Sequence, residues 1–179
     1  MKAKGEGLAT MRRLILFRHA RAEPRSPGGG DIERPLSPRG RQDAAIMGAV
    51  LARAGLAPDL ALVSPARRAR ETWQCARDAF PAAAMEVRKG LYNAAPEGVA
   101  AELEAWGDGA GTVMVVGHNP GLQELTVSLL EGGDASAADF DRVSADFATA
   151  TAAALRLDPG GRVAVEGLFH VRDHGGEGG

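Results

Sequence analysis

The sequence contains a single cysteine, Cys75, among its 179 residues. No internal disulfide can form, and a cage of cysteine ligands around a metal ion is excluded. Long apolar runs are also missing, because charged residues or glycines interrupt each run well before the roughly twenty residues that a membrane-spanning helix needs. We therefore expect no transmembrane segment and no membrane partner. A single cysteine is typical of the reducing cytoplasm, which we expect as the location.

Signals for export and for several domains are lacking as well. Residues 1–11 carry lysines but precede no apolar segment of signal-peptide length, so we expect a flexible N-terminal extension and no secretory signal. A chain of 179 residues with 45% hydrophobic content predicts one domain, over residues 12–173. Residues 174–179 are mostly glycine, and we expect a disordered tail because such a segment cannot offset the entropy of ordering.

Aromatic residues make up only 4% of the chain, which bears on how its positive charge is interpreted. Residues 12–77 contain 13 arginines, no lysine and 6 acidic residues, so this stretch has a net charge of +7 while the remainder has −9. A surface for nucleic acid would place aromatic side chains among the basic ones, to stack on bases. The composition therefore favours a local anion-binding pocket over a nucleic-acid partner.

Short apolar runs alternate with helix-like segments along most of the chain. The runs at 13–17, 60–63 and 112–116 predict buried strands. Helices are predicted at about 39–54, 64–79, 96–106 and 120–130, with Ser-Pro pairs at 37–38 and 64–65 as start signals. This alternation predicts an α/β fold, with three α/β/α layers and a mainly parallel central sheet. Residues 151–157 and 163–171, joined by the turn at 158–161, predict an antiparallel C-terminal edge.

Three predicted strands end in residues suited to phosphate chemistry. The first is followed by Arg18 and His19, the second by Ser64 and then Arg68, and the third by His118. Ligands of open α/β sheets bind beyond the carboxyl ends of the strands, so we expect these side chains to converge. Arginine offers forked donors that match phosphate oxygens, and neutral imidazole is a nucleophile near pH 7. The pattern predicts phosphoryl transfer with His19 as the nucleophile.

The same residues resemble the histidine phosphatase superfamily, also called phosphoglycerate-mutase-like. Its Arg-His-Gly signature corresponds to residues 18–20, where Ala20 replaces the glycine. Its Ser-x-x-x-Arg-Ala-x-x-Thr segment corresponds to residues 64–72, and its later Gly-His motif to residues 117–118. The segment at 34–40 and the short chain are similar to the SixA-type phosphohistidine phosphatase branch.

The resemblance implies a site and a chemistry. His19 takes the phosphoryl group, and neither a metal ion nor another cofactor is required. The rest of the phosphate pocket is formed by Arg18, Arg68 and His118. Position along the chain, and not the resemblance, predicts further contacts to an anionic substrate from two arginines of the loop that would cover the pocket and from the residue after the second histidine, whose amide has its own backbone as the alternative partner: Arg21, Arg34 and Asn119.

The leaving group decides between the remaining hypotheses. Many members of the family carry a carboxylic acid after the third strand to protonate an alkoxide, and Glu97 is the nearest candidate here, although its position also suits the start of a helix. A P–N bond breaks more readily than a P–O bond, so a missing acid favours a phosphohistidine protein as the substrate. The alternatives are a phosphomonoesterase for a small phosphorylated metabolite, with Glu97 as the proton donor, and a non-catalytic phosphate-binding module. A mutase and a histidine metal hydrolase are less favoured, the latter because paired carboxylates at ligand spacing are lacking.

Overall fold

The computed structural model describes residues 11–133, 135–160 and 162–179, and within them six strands form one mixed sheet. The strands are β1 (Arg13–Arg18), β2 (Leu60–Val63), β3 (Ala84–Val87), β4 (Thr112–Gly117), β5 (Ala152–Leu157) and β6 (Val163–Phe169). Their order is β3-β2-β4-β1-β5-β6. The first four strands are parallel to one another. Strand β5 runs antiparallel to its neighbour β1, and β6 runs antiparallel to β5. The predicted parallel sheet with an antiparallel edge is confirmed.

Helices cover both faces of this sheet. They are α1 (Pro38–Arg53), α2 (Arg67–Ala76), α3 (Pro96–Trp106), α4 (Gly121–Glu131) and α5 (Ala137–Ala145). In β1, Ile15 and Phe17 face the core that includes α1 and α2, while Leu14 and Leu16 face the core that includes the other three helices. Successive strand residues point to opposite faces, so a strand buried on both sides is apolar throughout. The three predicted layers are confirmed.

The first Ser-Pro pair marks the start of its helix correctly, whereas the second lies two residues too early. At the first pair, Pro38 opens α1 and the Ser37 hydroxyl oxygen accepts a hydrogen bond from the Gly40 N–H at 3.0 Å, as a helix cap does. At the second pair, α2 begins only at Arg67, and the helix ends at Ala76 before a single 3-10 turn. The Ser64 hydroxyl lies before the helix, where it contacts His118.

Two elements were not predicted because their sequences carry no strong apolar pattern. All four residues of β3 are exposed, since β3 lies at the edge of the sheet. Helix α5 buries only Val143 among its nine residues. By contrast, the predicted hairpin of β5 and β6 is confirmed. Its turn is closed by the Asp158 N–H, which donates to the Arg162 carbonyl at 3.0 Å.

The C-terminal end of the chain differs from the expectation. The predicted N-terminal extension lies outside the described residues except for Met11, which is 2% exposed and packs in the core. The C-terminal residues, expected to be disordered, fold back onto the domain. The N–H groups of Glu177 and Gly178 donate to the buried carboxylate of Asp43, and the Gly179 carbonyl accepts from the Thr149 N–H at 3.0 Å. Composition alone does not reveal these acceptors.

No helix of the described residues has the length and apolar character needed to cross a bilayer.

Candidate active site

The carboxyl ends of the neighbouring central strands β1, β2 and β4 lie side by side at the same end of the sheet. Arg18 is paired with Gly117 across β1 and β4, and the His19 N–H donates to the Gly117 carbonyl at 3.0 Å. On the other side of β4, the Ser64 N–H donates to the Val116 carbonyl at 2.9 Å. Residues from segments about fifty positions apart are thereby fixed side by side by backbone hydrogen bonds.

The His19 ring has its two nitrogens in different environments. Nδ1 lies 2.8 Å from the Ala20 carbonyl, and Nε2 lies 3.2 Å from Nε of Arg68. A carbonyl can only accept and a guanidinium can only donate, so the proton is on Nδ1 and the lone pair is on Nε2. Burial is the largest cause that lowers the pKa of His19, to about 3, and His118 and Arg68 lower it further against the raising effect of the bond to Ala20. His19 is therefore neutral, and Nε2 carries the nucleophilic lone pair, which here accepts the N–H of Arg68 and must be released from it before it attacks phosphorus.

Arg68 engages all three of its guanidinium nitrogens. Besides the bond to His19, Nη1 donates to the Asp31 carbonyl at 2.8 Å and Nη2 donates to Asp31 Oδ2 at 3.0 Å. Thr72 holds this part of α2 against the His19 segment. Its hydroxyl donates to the Arg68 carbonyl at 2.7 Å and accepts from the Ala20 N–H at 3.0 Å. The guanidinium is thus fixed beside the nucleophile from both ends.

His118 is held by Ser64. Its Nε2 lies 2.7 Å from the Ser64 hydroxyl, which also accepts from the Ala66 N–H at 3.3 Å. We assign the hydroxyl proton to the bond with Nε2, because this nitrogen is the acceptor that the described residues offer the Ser64 hydroxyl, and this assignment leaves the His118 proton on Nδ1 as a donor. Burial, and then the charge of Arg68, lowers the pKa of His118 to about 4. Ser64 was predicted as part of a helix start signal, but its shorter contact is to His118, whose ring centroid lies 5.0 Å from that of His19.

Arg18 and Asn119 share one backbone acceptor. Nη1 of Arg18 and Nδ2 of Asn119 donate to the Phe147 carbonyl, at 2.7 Å and 3.0 Å. The Gln123 amide fixes the Asn119 orientation, because its nitrogen donates to carbonyls of Val143 and Ser144 and its oxygen accepts from Asn119.

Three buried polar side-chain atoms in the described part of the chain have no hydrogen-bond partner, namely Arg18 Nε, His118 Nδ1 and Asn119 Oδ1. All three belong to residues of this site. Buried polar groups are nearly always paired, so their concentration here indicates a place where a polar ligand binds. Two of them are donors, which suits an anion.

Residues 14–95 match the sequence model of the histidine phosphatase superfamily (branch 1). The chain is also 39% identical over 143 residues to an uncharacterized protein of Mycobacterium tuberculosis, an alignment that covers 79% of this chain and 87% of that protein. The chain belongs to the histidine phosphatase superfamily.

Solved structures place this histidine phosphatase in the SixA-type branch. SixA from Agrobacterium tumefaciens is 28% identical with a TM-score of 0.77, and the match covers 89% of this chain and 98% of that one. SixA from Nakamurella multipartitia is 29% identical with a TM-score of 0.76, covering 89% and 95%. The protein is thus a phosphatase with the SixA fold.

The other predicted residues of the histidine phosphatase lie further from the nucleophile. Arg34 donates to the Glu23 carbonyl and to Asp31 Oδ1, so it reaches Arg68 only through Asp31. Arg21 is exposed and lines a neighbouring groove, which the half-buried Arg34 also lines. Glu97 is exposed in the first turn of α3. Substrate contacts of Arg21 and Arg34, and a proton-donor role of Glu97, stay predictions.

Sequence reasoning did not single out two residues at the mouth of the site, Asp31 and Tyr92. The Tyr92 hydroxyl donates to Asp31 Oδ2 at 2.9 Å, and its ring lies 5.8 Å from the His118 ring. Asp31 belongs to a short 3-10 turn between β1 and α1. Neither residue belongs to one of the three motifs, so no local signal pointed to it.

Proposed function

We propose that this phosphatase removes phosphate from phosphohistidine on a protein, through a phosphoryl group carried transiently by Nε2 of His19, and that it needs no metal ion. The observation that carries the proposal is the neutral His19, whose unprotonated Nε2 adjoins Arg68 while unpaired donors of Arg18 and His118 lie in the same site. These are the groups that phosphoryl transfer requires, a nucleophile and fixed donors for the equatorial oxygens.

The first step transfers the phosphoryl group to the enzyme. Nε2 of His19 attacks phosphorus, the P–N bond of the substrate breaks, and its electron pair goes to the leaving nitrogen. Arg68, Nε of Arg18 and Nδ1 of His118 would donate to the phosphoryl oxygens. The bond from His19 Nδ1 to the Ala20 carbonyl supports the positive charge that develops on the phosphorylated ring.

The second step returns His19 to its starting state. Water attacks phosphorus, the P–Nε2 bond breaks, and the electron pair returns to Nε2. A proton of the water leaves with the product phosphate or to solvent. Nδ1 keeps its proton throughout, so the ring needs no change of tautomer between turnovers.

A P–N substrate suits this site because, among the residues that the structure describes, no carboxyl group that could donate a proton contacts the nucleophile. The carboxylate that contacts Arg68 belongs to Asp31, whose pKa is lowered to about 2, chiefly by the hydrogen bond from Arg34. It is ionised at neutral pH and holds no proton for an alkoxide. The name phosphohistidine phosphatase that the SixA relatives carry agrees with this substrate class.

The proposal predicts activity that is independent of metal ions. Within the described residues, no group of three or more His, Cys, Asp or Glu side chains is arranged to hold a metal ion. Activity that is unchanged after treatment with a strong chelator is the expected result, and loss of activity restored by a divalent cation would contradict it.

Rapid quenching with a ³²P-labelled phosphohistidine peptide tests the covalent step. The wild type should trap acid-labile, alkali-stable phosphate on His19, and His19→Ala should trap none and lose turnover. His174→Ala, a change to an exposed histidine outside the site, is the matched control. Normal turnover by His19→Ala would refute the proposal. Comparing the peptide with small phosphate esters on the wild type and Glu97→Ala separates it from a metabolite phosphatase.

A further inference from the structure

Asp31 sets a carboxylate at the mouth of the phosphate pocket. Oδ2 accepts from the Tyr92 hydroxyl at 2.9 Å and from Arg68 Nη2 at 3.0 Å, while Oδ1 accepts from Arg34 Nη1 at 2.9 Å. The Asp31 side chain is 45% exposed, whereas that of Arg68 is 6% exposed. The carboxylate therefore faces arriving substrate, with the guanidinium beneath it.

The carboxylate and the nucleophile share one edge of Arg68. Nε and Nη2 of a guanidinium point their N–H bonds in parallel from the same edge. Here Nε donates to His19 Nε2 and Nη2 donates to Asp31 Oδ2. A phosphoryl group that reacts with His19 thus arrives next to a fixed negative charge.

Asp31 has room for one further donor. An ionised carboxylate offers about four lone-pair sites, and three side-chain donors occupy three of them. Hydrogen bonds from Arg34, Tyr92 and Arg68 hold the pKa of Asp31 at about 2. At neutral pH this carboxylate can accept an N–H but cannot supply a proton.

We propose that Asp31 determines specificity for P–N substrates, by accepting a hydrogen bond from the second, protonated ring nitrogen of the phosphohistidine that is being cleaved. The inference rests on the proposed function and names the residue that selects its substrate class. A phosphorylated imidazole with a proton on its second nitrogen carries positive charge, which the carboxylate attracts. A phosphate ester has no such cation in its leaving group, and the negative charge that develops on its leaving oxygen is repelled by the carboxylate.

The proposal also accounts for the proton. When the second nitrogen is protonated, cleavage of the P–N bond sends the electron pair to the nitrogen that carried phosphorus, and the ring departs as neutral imidazole. No proton moves in this step. An ester would release an alkoxide, for which Asp31 holds no proton.

Asp31→Asn tests the inference, because it keeps the shape of the side chain and removes the charge. Glu33→Gln is the matched control, since Glu33 is an exposed carboxylate of the same short turn. We expect Asp31→Asn to lower kcat/KM for a phosphohistidine peptide by about 10- to 100-fold, as for a lost hydrogen bond to a charged group. For p-nitrophenyl phosphate kcat/KM should rise a few-fold. Glu33→Gln should change neither value.

Every other pattern overturns the inference. An equal rise for both substrates would mean that Asp31 merely competes with phosphate for Arg68, and an equal fall would mean that it only positions Arg68. Unchanged values would mean that it has no role in selection. Should Asp31→Asn fail to fold, Tyr92→Phe removes one contact that orients the carboxylate, and it should shift the ratio of the two substrates in the same direction by a smaller factor.

Trapping of labelled phosphate separates this inference from the proposed function. If the wild type traps no phosphate on His19, the proposed function is wrong. If the wild type and Asp31→Asn both form the phosphorylated enzyme with an unchanged preference between the two substrates, the proposed function stands and the role of Asp31 is wrong.

Discussion

The two sides of the nucleophile differ in how far the protein itself satisfies their hydrogen-bond donors. On one side, each nitrogen of Arg68 has an acceptor, supplied by His19 and Asp31. On the other side, Arg18 Nε and His118 Nδ1 are buried and have no hydrogen-bond partner among the described residues. A buried donor without a partner costs about 1–3 kcal/mol, which a phosphoryl oxygen would recover on binding. The first side therefore orients the reaction, and the second side supplies affinity.

Arg68→Ala should have the largest effect on the oriented side. It removes the donor at His19 and leaves Asp31 without its buried cation, so we expect kcat/KM to fall about 10³-fold. Arg68→Lys keeps the charge without the fork and should recover only part of the loss. Steady-state kinetics measure both variants, with Arg70→Ala, an exposed change on the same helix, as the control. A loss confined to KM would contradict an orienting role.

Arg18→Ala should sharpen the contrast from the other side. The variant loses an unpaired donor, while the Phe147 carbonyl keeps its bond from Asn119. We expect kcat/KM to fall about 100-fold, mainly through KM, because a charge-assisted bond to phosphate is lost. Orthophosphate should also raise the melting temperature less than it does for the wild type. A fall in kcat, with phosphate still stabilising the variant as fully as the wild type, would contradict the inference that Arg18 supplies affinity for phosphate.

Ser64→Ala changes the orientation of one free donor without removing it. His118 Nε2 would stay buried without its partner, which destabilises the fold by about 1–2 kcal/mol. We expect kcat/KM to fall about 10-fold, because Nδ1 is no longer aimed by a fixed ring. Chemical denaturation and kinetics check the two effects. Full activity in a destabilised variant would show that burial alone holds the ring.

The smallest expected effect, taken for one histidine at a time, is a dependence of stability on pH. His19 and His118 have pKa values of about 3 and 4 in the folded protein, below the reference of about 6.5 for an unfolded chain. The unfolded state therefore binds more protons as the pH falls below 6.5, and stability is complete only above that value. From pH 6.5 to 5.5 each histidine should lower the free energy of unfolding by about 1 kcal/mol.

Denaturation across this pH window gives the measurement. His118→Gln should show a flatter profile than the wild type, because its contribution is removed. The same slope in His118→Gln and the wild type would contradict the buried neutral state of His118.

The predictable part of this molecule follows from local patterns. Strands β1, β2 and β4 could be predicted because they are buried on both faces and so read as continuous apolar runs. Helix α1 could be predicted because Ser37 and Pro38 mark its start. His19, Arg68 and His118 were found because each directly follows one of these strands or belongs to the motif after it.

The remainder depends on contacts between distant residues. Asp31 gains its role from Arg68, 37 positions away, and Tyr92 gains its role from Asp31, 61 positions away. The C-terminal segment is ordered by Asp43, 134 positions before Glu177. Each partner was visible in the sequence, but the pairing arises only when the sheet brings them together.

The carbonyl that anchors both Arg18 and Asn119 belongs to the backbone at Phe147, just before β5. Any apolar side chain that packs in the core at this position would preserve the anchor, so natural exchanges there should be neutral for phosphate binding. Insertions or deletions between α5 and β5 would instead displace two pocket residues at once. In directed evolution of this enzyme, the length of that connection should therefore be held constant while the identity of residue 147 is varied.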